Sequence, residues 1–237
     1  MKIILSLAVL TALVALEQVT TCRAAGEEGV ALAIIYDTSG SMHDAVRDSS
    51  GHSSPKYIIA NRALTAVAKQ IQAFASSPAG PAPRKVEAGL FVFSGDGAQE
   101  AVKFGPFDAA ALEEFARNFS TPSGNTPLGN ALSVATRKVM SSPLSRKHVL
   151  IITDGMNTAG PTPAAVMPKL KQQAEEKQMS VSVHFVAFDV DAKIFDPVKK
   201  LGATVVGASD EKQLNTQLEY ILQRKILLEE EEPVKKK

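Results

Sequence analysis

Residues 34–42 read IIYDTSGSM, and this stretch indicates the fold. It joins an uninterrupted apolar run, residues 30–35, to a carboxylate and two hydroxyls at Asp37, Ser39 and Ser41. Continuous apolar character without alternation is typical of a parallel strand that is covered on both faces. A polar cluster directly after such a strand lies where open α/β sheets bind their ligands. Oxygens at positions i, i+2 and i+4 can converge on one hard cation where the chain turns.

Strands and helices alternate along the rest of the chain, as judged from the spacing of apolar residues. The predicted strands are 30–36, 86–94, 98–104, 148–153, 181–188 and 203–206, and the predicted helices are 57–74, 108–119, 127–139, 164–178, 194–201 and 211–228. The polar residues 43–55 are predicted to form a loop. This order predicts one α/β domain with a doubly wound, mostly parallel sheet, helices on both faces and one antiparallel edge strand after the turn at 95–97.

The composition is that of a globular protein, and nucleic acid is not an expected partner. The chain has 237 residues, of which 45% are hydrophobic and 22% are charged, with a net charge of +1. Such a chain can bury a sizeable core. A nucleic-acid-binding surface is not predicted, because the sequence shows no basic stripe and no basic patch with interleaved aromatic residues.

The two ends of the chain are predicted to lie outside the folded domain, which we expect to span residues 29–225. Residues 1–24 resemble a signal peptide, because a lysine precedes a short apolar run and small residues follow at Ala24 and Ala25. The protein is therefore expected to be exported, either secreted or periplasmic. Cys22, the only cysteine, is either removed with the signal peptide or serves as a lipid anchor, which is the only predicted route to a membrane. Residues 226–237 are predicted to be a charged, solvated tail.

Three loops at the same predicted edge of the sheet carry oxygen-bearing side chains. The first loop contains Asp37, Ser39 and Ser41, the second contains Thr126, and the third contains Asp154. Each loop alone could be a turn or a helix cap. Together they supply two carboxylates and three hydroxyls, a set that suits Mg²⁺, with Mn²⁺ or Ca²⁺ as alternatives.

These five residues resemble the metal-ion-dependent adhesion site (MIDAS) of von Willebrand factor type A domains. That family has the pattern Asp-x-Ser-x-Ser in its first loop, a threonine in the second and an aspartate in the third. All five positions match, in the same order. The resemblance implies that Ser39 and Ser41 bind the metal directly and that Thr126 binds it directly or through water. It also implies that Asp37 and Asp154 act mainly through water.

The same resemblance implies a binding function. One coordination position of the metal is left for a carboxylate of a partner, an Asp or Glu side chain on another protein. We therefore expect an adhesion-type protein that binds a protein ligand and catalyses no reaction.

Two other functions stay open on the sequence alone. Haloacid-dehalogenase phosphatases also place an aspartate after the first buried strand, but they need a second acid two residues later, where this chain has Ser39. A scaffold that binds no metal is the other alternative. The histidines show no spacing of metal ligands, and His148 and His184 are predicted to be core or strand-edge residues.

Overall fold

The computed structural model describes residues 26–77 and 84–228. Within these ranges the strands are β1 Glu27–Tyr36, β2 Ala45–Arg47, β3 Ser53–Pro55, β4 Val86–Ser94, β5 Gly97–Pro106, β6 Leu144–Thr153, β7 Ser182–Phe188 and β8 Thr204–Ala208. The α-helices are α1 Lys56–Ser76, α2 Ala109–Asn118, α3 Leu128–Ser141, α4 Pro163–Glu176, α5 Asp196–Lys200 and α6 Glu211–Ile221. Short 3-10 helices occupy Gly40–His43 and Ala192–Phe195. No helix of the described residues has the length and apolar character needed to cross a bilayer.

Six strands form one sheet in the order β5-β4-β1-β6-β7-β8. All neighbours are parallel except β4 and β5, which form an antiparallel hairpin at one edge. Strand β1 lies in the interior of the sheet, with Val30 opposite Val86 on one side and Arg146 on the other. The predicted doubly wound, mostly parallel sheet with an antiparallel edge strand is therefore confirmed.

Strand β1 is buried on both faces, which explains its continuous apolar sequence. Its side chains alternate between two clusters of buried residues, one on each face of the sheet. The cluster with α1, α2 and α6 receives Val30, Leu32, Ile34 and Tyr36, and the cluster with α3 and α4 receives Ala31, Ala33 and Ile35. Met42 and Val46, which follow Asp37 in the chain, belong to the first of these clusters, so the core also holds the first polar loop in place.

The stretch 43–55, predicted as a loop, contains the antiparallel hairpin β2–β3, so that prediction was wrong in part. Each strand has three residues and no apolar alternation, which leaves no pattern for a strand prediction. The hairpin is tied to α6, because the Ser49 N–H donates a hydrogen bond of 2.6 Å to Glu211 Oε2. Arg62 holds the same carboxylate, with Nε 2.7 Å from Glu211 Oε1. This polar segment therefore has a defined position beside the first loop.

Helix α6 continues into a π-helical extension, Leu222–Leu227. Ile226 and Leu227 are buried, and Arg146 Nη1 donates a hydrogen bond of 3.2 Å to the Leu227 carbonyl oxygen. The packed core thus includes two residues beyond the limit of 225 that we expected for the domain. The predicted signal peptide with Cys22, and residues 229–237 of the predicted tail, lie outside the described residues.

Two histidines meet inside the domain. His148 in β6 and His184 in β7 are 1% and 3% exposed, and their rings stack with centroids 5.6 Å apart. Nδ1 of His148 lies 3.3 Å from Nε2 of His184. Burial lowers the pKa of His148 to about 3 and that of His184 to about 4, and the nearby charges of Arg146 and Lys225 act in the same direction. Both rings are therefore neutral at physiological pH.

Candidate metal centre

The polar loops that follow β1 and precede α3 are joined by backbone hydrogen bonds. The Ser123 N–H donates to the Thr38 carbonyl oxygen at 2.8 Å, and the Gly40 N–H donates to the Gly124 carbonyl oxygen at 3.2 Å. The Asp37 N–H donates to the Ile152 carbonyl oxygen at 3.0 Å, which continues the sheet one residue beyond β1. The backbone therefore fixes the first loop against both the second loop and the end of β6.

Asp37 is completely buried and accepts three hydrogen bonds. Its Oδ1 accepts from the Ser39 N–H at 2.8 Å and from Ser39 Oγ at 2.5 Å. Its Oδ2 accepts from Thr153 Oγ1 at 2.6 Å. Asp37 therefore orients the Ser39 hydroxyl from behind, and its own oxygens are occupied by protein donors.

The hydroxyls and carboxylates of the first and third loops form one chain of contacts. Ser39 Oγ lies 3.1 Å from Ser41 Oγ, and Ser41 Oγ donates to Asp154 Oδ1 at 2.8 Å. Asp154 is 5% exposed. Four of the five predicted ligand residues are thus linked through contacts of 2.5–3.1 Å, from Asp37 to Asp154.

Thr126, the fifth predicted residue, is held by its backbone. Its N–H donates to Thr158 Oγ1 at 2.8 Å, and its carbonyl oxygen accepts from the Thr158 N–H at 3.0 Å. A Cβ atom placed on Gly155 would lie 3.9 Å from both Thr126 Oγ1 and Ser41 Oγ. The glycine therefore leaves open the space that the second and third loops share with the Ser41 hydroxyl.

The charges of this cluster favour a bound cation. Burial, together with the charge of Asp154, raises the pKa of Asp37 to about 6, although hydrogen bonds from Ser39 and Thr153 oppose the rise. The donors are carboxylate and hydroxyl oxygens, which fit a hard divalent ion that keeps part of its water shell. Among the described residues no three Asp, Glu, His or Cys side chains converge to form a metal cage, so a cation here would depend on the hydroxyls and on water.

Lys56 is a member of the cluster that sequence reasoning missed. The residue is 5% exposed, and its Nζ lies 3.1 Å from Asp154 Oδ2 and 3.1 Å from Asp189 Oδ2. Asp44 Oδ2 is 3.9 Å away. Burial lowers the pKa of Lys56, but hydrogen bonds and charge from Asp189 and Asp154 outweigh it and raise the pKa. Lys56 is therefore an ammonium ion at neutral pH.

The two aspartates after β7 have different surroundings. Asp191 accepts a hydrogen bond of 2.9 Å from the Lys193 N–H and caps the 3-10 helix Ala192–Phe195. Asp189 has a φ of 54° and pairs with Lys56. Its carboxylate is linked to Asp154 through that ammonium group.

Gly129, in the first turn of α3, supports the second loop by close backbone packing. Its N–H donates to Asn157 Oδ1 at 3.1 Å, and a Cβ at this position would lie 2.0 Å from the Pro161 carbonyl oxygen. Replacing Gly129 with alanine should push the 157–162 segment away from α3.

We expect Gly129→Ala to lower the free energy of unfolding by about 1–3 kcal/mol, as for other overpacked sites. Chemical denaturation of the two proteins measures this difference. Gly105→Ala is the matched control, because a Cβ there would meet nothing within 4 Å. Equal stability of the Gly129→Ala and Gly105→Ala proteins would contradict the expected clash.

The family model of the von Willebrand factor type A domain matches residues 31–217. The match begins in β1 and ends in α6, so it includes all three polar loops. A search of curated proteins returned no match.

Several solved structures share this fold. The PilB minor pilin from Streptococcus sanguinis superposes with a TM-score of 0.60 at 15% identity, over 84% of this chain and 62% of the pilin. The vWF domain of the type V pili tip protein Mfa5 from Porphyromonas gingivalis gives 0.58 at 14% identity, over 83% of this chain and 95% of that domain. Proximal thread matrix protein 1 from the mussel byssus, with zinc in its MIDAS motif, superposes with a TM-score of 0.57 at 15% identity, over 84% of this chain and 48% of the mussel protein.

These likenesses concern the fold alone, since the identities are low. The chain spans less than two thirds of the length of the pilin and about half of the mussel protein.

Proposed function

Because the chain belongs to the von Willebrand factor type A domain family, we propose that it binds a protein partner through a divalent metal ion at the edge of its sheet. The observation that carries this proposal is the contact chain from Asp37 through Ser39 and Ser41 to Asp154. The two serine hydroxyls lie side by side, and a buried carboxylate holds each of them.

In this proposal each residue has a definite task. Ser39 and Ser41 present their oxygens directly to the metal, and Thr126 presents its own directly or through water. Asp37 and Asp154 orient the hydroxyls and supply negative charge. We propose Mg²⁺ as the metal, with Mn²⁺, Ca²⁺ or Zn²⁺ as substitutes. The metal would bind a carboxylate oxygen of the partner. The zinc in the MIDAS motif of the mussel protein supports a divalent ion at this place in the fold.

We further propose that the protein is exported and acts in adhesion without catalysis. Its structural neighbours include a minor pilin, a pilus tip protein and a byssus matrix protein, which supports an extracellular role. Ser39 donates its hydroxyl to Asp37 at the position where a phosphatase of the alternative class needs a second acid. That contact favours binding over hydrolysis.

We expect Mg²⁺ or Mn²⁺ to bind the wild-type protein and to raise its melting temperature. A ligand at 100 times its Kd adds about 2.7 kcal/mol to the stability, which corresponds to roughly 5–10 °C for a domain of this size. Calorimetry and thermal unfolding with and without a chelator measure the two effects. Ser39→Ala/Ser41→Ala should lose both, and absence of any metal effect on the wild type would overturn the metal site.

The matched control is Ser77→Ala/Ser141→Ala, because these two hydroxyls bind carbonyl oxygens at the opposite ends of α1 and α3. Four samples then serve as baits for partner capture: the wild type with metal, the wild type with chelator, Ser39→Ala/Ser41→Ala and Ser77→Ala/Ser141→Ala. Partners retained by the wild type and by the control, but lost with chelator and with Ser39→Ala/Ser41→Ala, are the expected ligands. Retention that is indifferent to metal would favour the non-metal scaffold.

A further inference from the structure

The buried ammonium of Lys56 lies directly behind the proposed metal site. Asp154 is the residue that connects the two, because its Oδ1 accepts from Ser41 Oγ and its Oδ2 accepts from Lys56 Nζ. The Lys56 side chain is 6% exposed and that of Asp154 is 0% exposed, so little water separates or screens this pair. The backbone fixes the lysine as well, since its N–H donates to the Asp44 carbonyl oxygen at 2.8 Å.

A fixed positive charge at this position has opposite effects on the two ions that the site would bind. It repels a divalent cation, because it neutralises part of the charge of Asp154. It attracts an anion, because the metal-loaded site keeps one more positive charge than it would have without the lysine. Both effects are strong where the groups are buried and the effective dielectric constant is low.

We propose that Lys56 sets the selectivity of the site. Its charge lowers the affinity of the site for the metal and raises the affinity of the metal-loaded site for the carboxylate of the partner. This inference rests on the proposed function, since it concerns the same metal site. The residue would not touch the metal. It acts through Asp154, and its consequence is a site that favours an acidic partner over water as the last ligand.

A purely structural role for Lys56 makes the opposite prediction for the metal. If the ammonium only held Asp154 in position, its removal would misplace Asp154 Oδ1 and weaken metal binding. The direction of the change in metal affinity therefore distinguishes the two roles.

The test compares Mn²⁺ binding by the wild type and Lys56→Met. We expect Lys56→Met to bind Mn²⁺ about tenfold more tightly, as removal of a nearby unit charge predicts. At saturating Mn²⁺, a blocked pentapeptide with one central glutamate should bind Lys56→Met at least threefold more weakly than the wild type. The corresponding glutamine peptide provides the blank. Lys171→Met is the control, because Lys171 Nζ bonds the Leu201 carbonyl oxygen, before β8 and away from the site.

Asp189→Asn is a second variant, for which the expected changes in affinity are opposite to those of Lys56→Met. It tests the role of Lys56 if Lys56→Met does not fold. It removes a negative charge beside Lys56 and keeps the lysine, and asparagine tolerates the positive φ of this residue. We expect severalfold weaker Mn²⁺ binding together with at least twofold tighter binding of the glutamate peptide at saturating Mn²⁺, because the charge of Lys56 is then less compensated. Weaker Mn²⁺ binding without tighter peptide binding, which a positioning role alone would give, overturns the proposal, and so does unchanged Mn²⁺ binding.

The outcomes separate this inference from the proposed function. Unchanged or weaker Mn²⁺ binding by Lys56→Met, or unchanged affinity for the glutamate peptide, overturns the role of Lys56 and leaves the metal site standing. A wild-type protein that binds no Mn²⁺ overturns both.

Discussion

Asp37→Asn is expected to weaken metal binding by about 10- to 100-fold and, in metal-free protein at neutral pH, to increase stability. The first effect follows from the loss of a buried negative charge that orients Ser39. The second follows from the raised pKa of Asp37, about 6 in the folded state against an ordinary 3.8. A raised pKa means that folding disfavours the ionised carboxylate when no cation is bound.

The sign of the pH dependence follows from the same two values. Below about pH 4, Asp37 is protonated in both the folded and the unfolded protein, so it does not lower the free energy of unfolding. Between pH 4 and 6 the unfolded chain releases this proton while the folded protein retains it, so metal-free stability falls by an amount on the order of 3 kcal/mol. Asparagine has no proton to release. It can also keep the contacts, because its amide can donate to Thr153 Oγ1, whose hydroxyl can turn to the Gly155 carbonyl oxygen 3.3 Å away.

Denaturant unfolding in the presence of chelator, at pH 5 and pH 7.5, measures this effect. The gain in stability of Asp37→Asn over the wild type should be larger at pH 7.5. Asp108→Asn is the control, because Asp108 caps α2 and asparagine caps helices equally well. A variant that is less stable than the wild type at both pH values, with normal metal affinity, would contradict the assigned role of Asp37.

Acidification is expected to destabilise the protein steeply through the buried histidine pair. His148 and His184 have folded pKa values of about 3 and 4, well below the ordinary 6.5. The unfolded chain therefore binds two protons below pH 6.5 that the folded protein rejects. At pH 5 this amounts to about 2 kcal/mol for each histidine.

The histidine effect outweighs the opposing effect of Asp37. Between pH 7 and 5, protonation of Asp37 returns only about 1 kcal/mol to the metal-free protein. A net loss of about 3 kcal/mol is a large part of the 5–15 kcal/mol that stabilises a typical domain. Stability should then fall steadily from pH 6.5 toward pH 4.

The double variant His148→Phe/His184→Phe tests this expectation because it keeps two stacked rings and removes both titrating groups. Its unfolding free energy in chelator should no longer fall between pH 6.5 and 5. His52→Phe, at an exposed position, serves as the control and should follow the wild type. The histidine pair would not be the origin of acid sensitivity if the double variant and the wild type lost stability in parallel.

The sequence predicts the main sheet well because strands that are buried on both faces have continuous apolar sequences. All six of its strands were predicted, and continuous apolar runs such as residues 30–36 and 148–153 mark parallel strands covered on both faces. The hairpin β2–β3 could not be predicted in this way. It is held by hydrogen bonds from Ser50, His52 and Ser54 to the Asp48 carboxylate and by the bond from Ser49 to Glu211, and not by local apolar alternation.

The candidate site was predictable to the extent that its residues follow predicted strands. Asp37 and Asp154 were expected at the same edge because parallel strands β1 and β6 both end there. Lys56 gave no such signal, because a lysine at the start of a helix normally lies in solvent. Its buried charge is paired with Asp154 and with Asp189, which are 98 and 133 positions further along the chain (154 minus 56 and 189 minus 56) and come close only in the folded sheet.

The positions of the first and last described elements of the domain have a mechanical consequence. The Glu27 N–H bonds the Pro143 carbonyl oxygen just before β6, and Leu227 is held by Arg146 near the start of the same strand. The proposed metal lies at the other end of β6, which has ten residues and so a length of about 33 Å. A pull between a bound partner and either end of the domain would run along the strands. Such a pull would load the hydrogen bonds of β1 with β4 and β6 together in shear, the direction in which a ladder of parallel bonds resists as a whole.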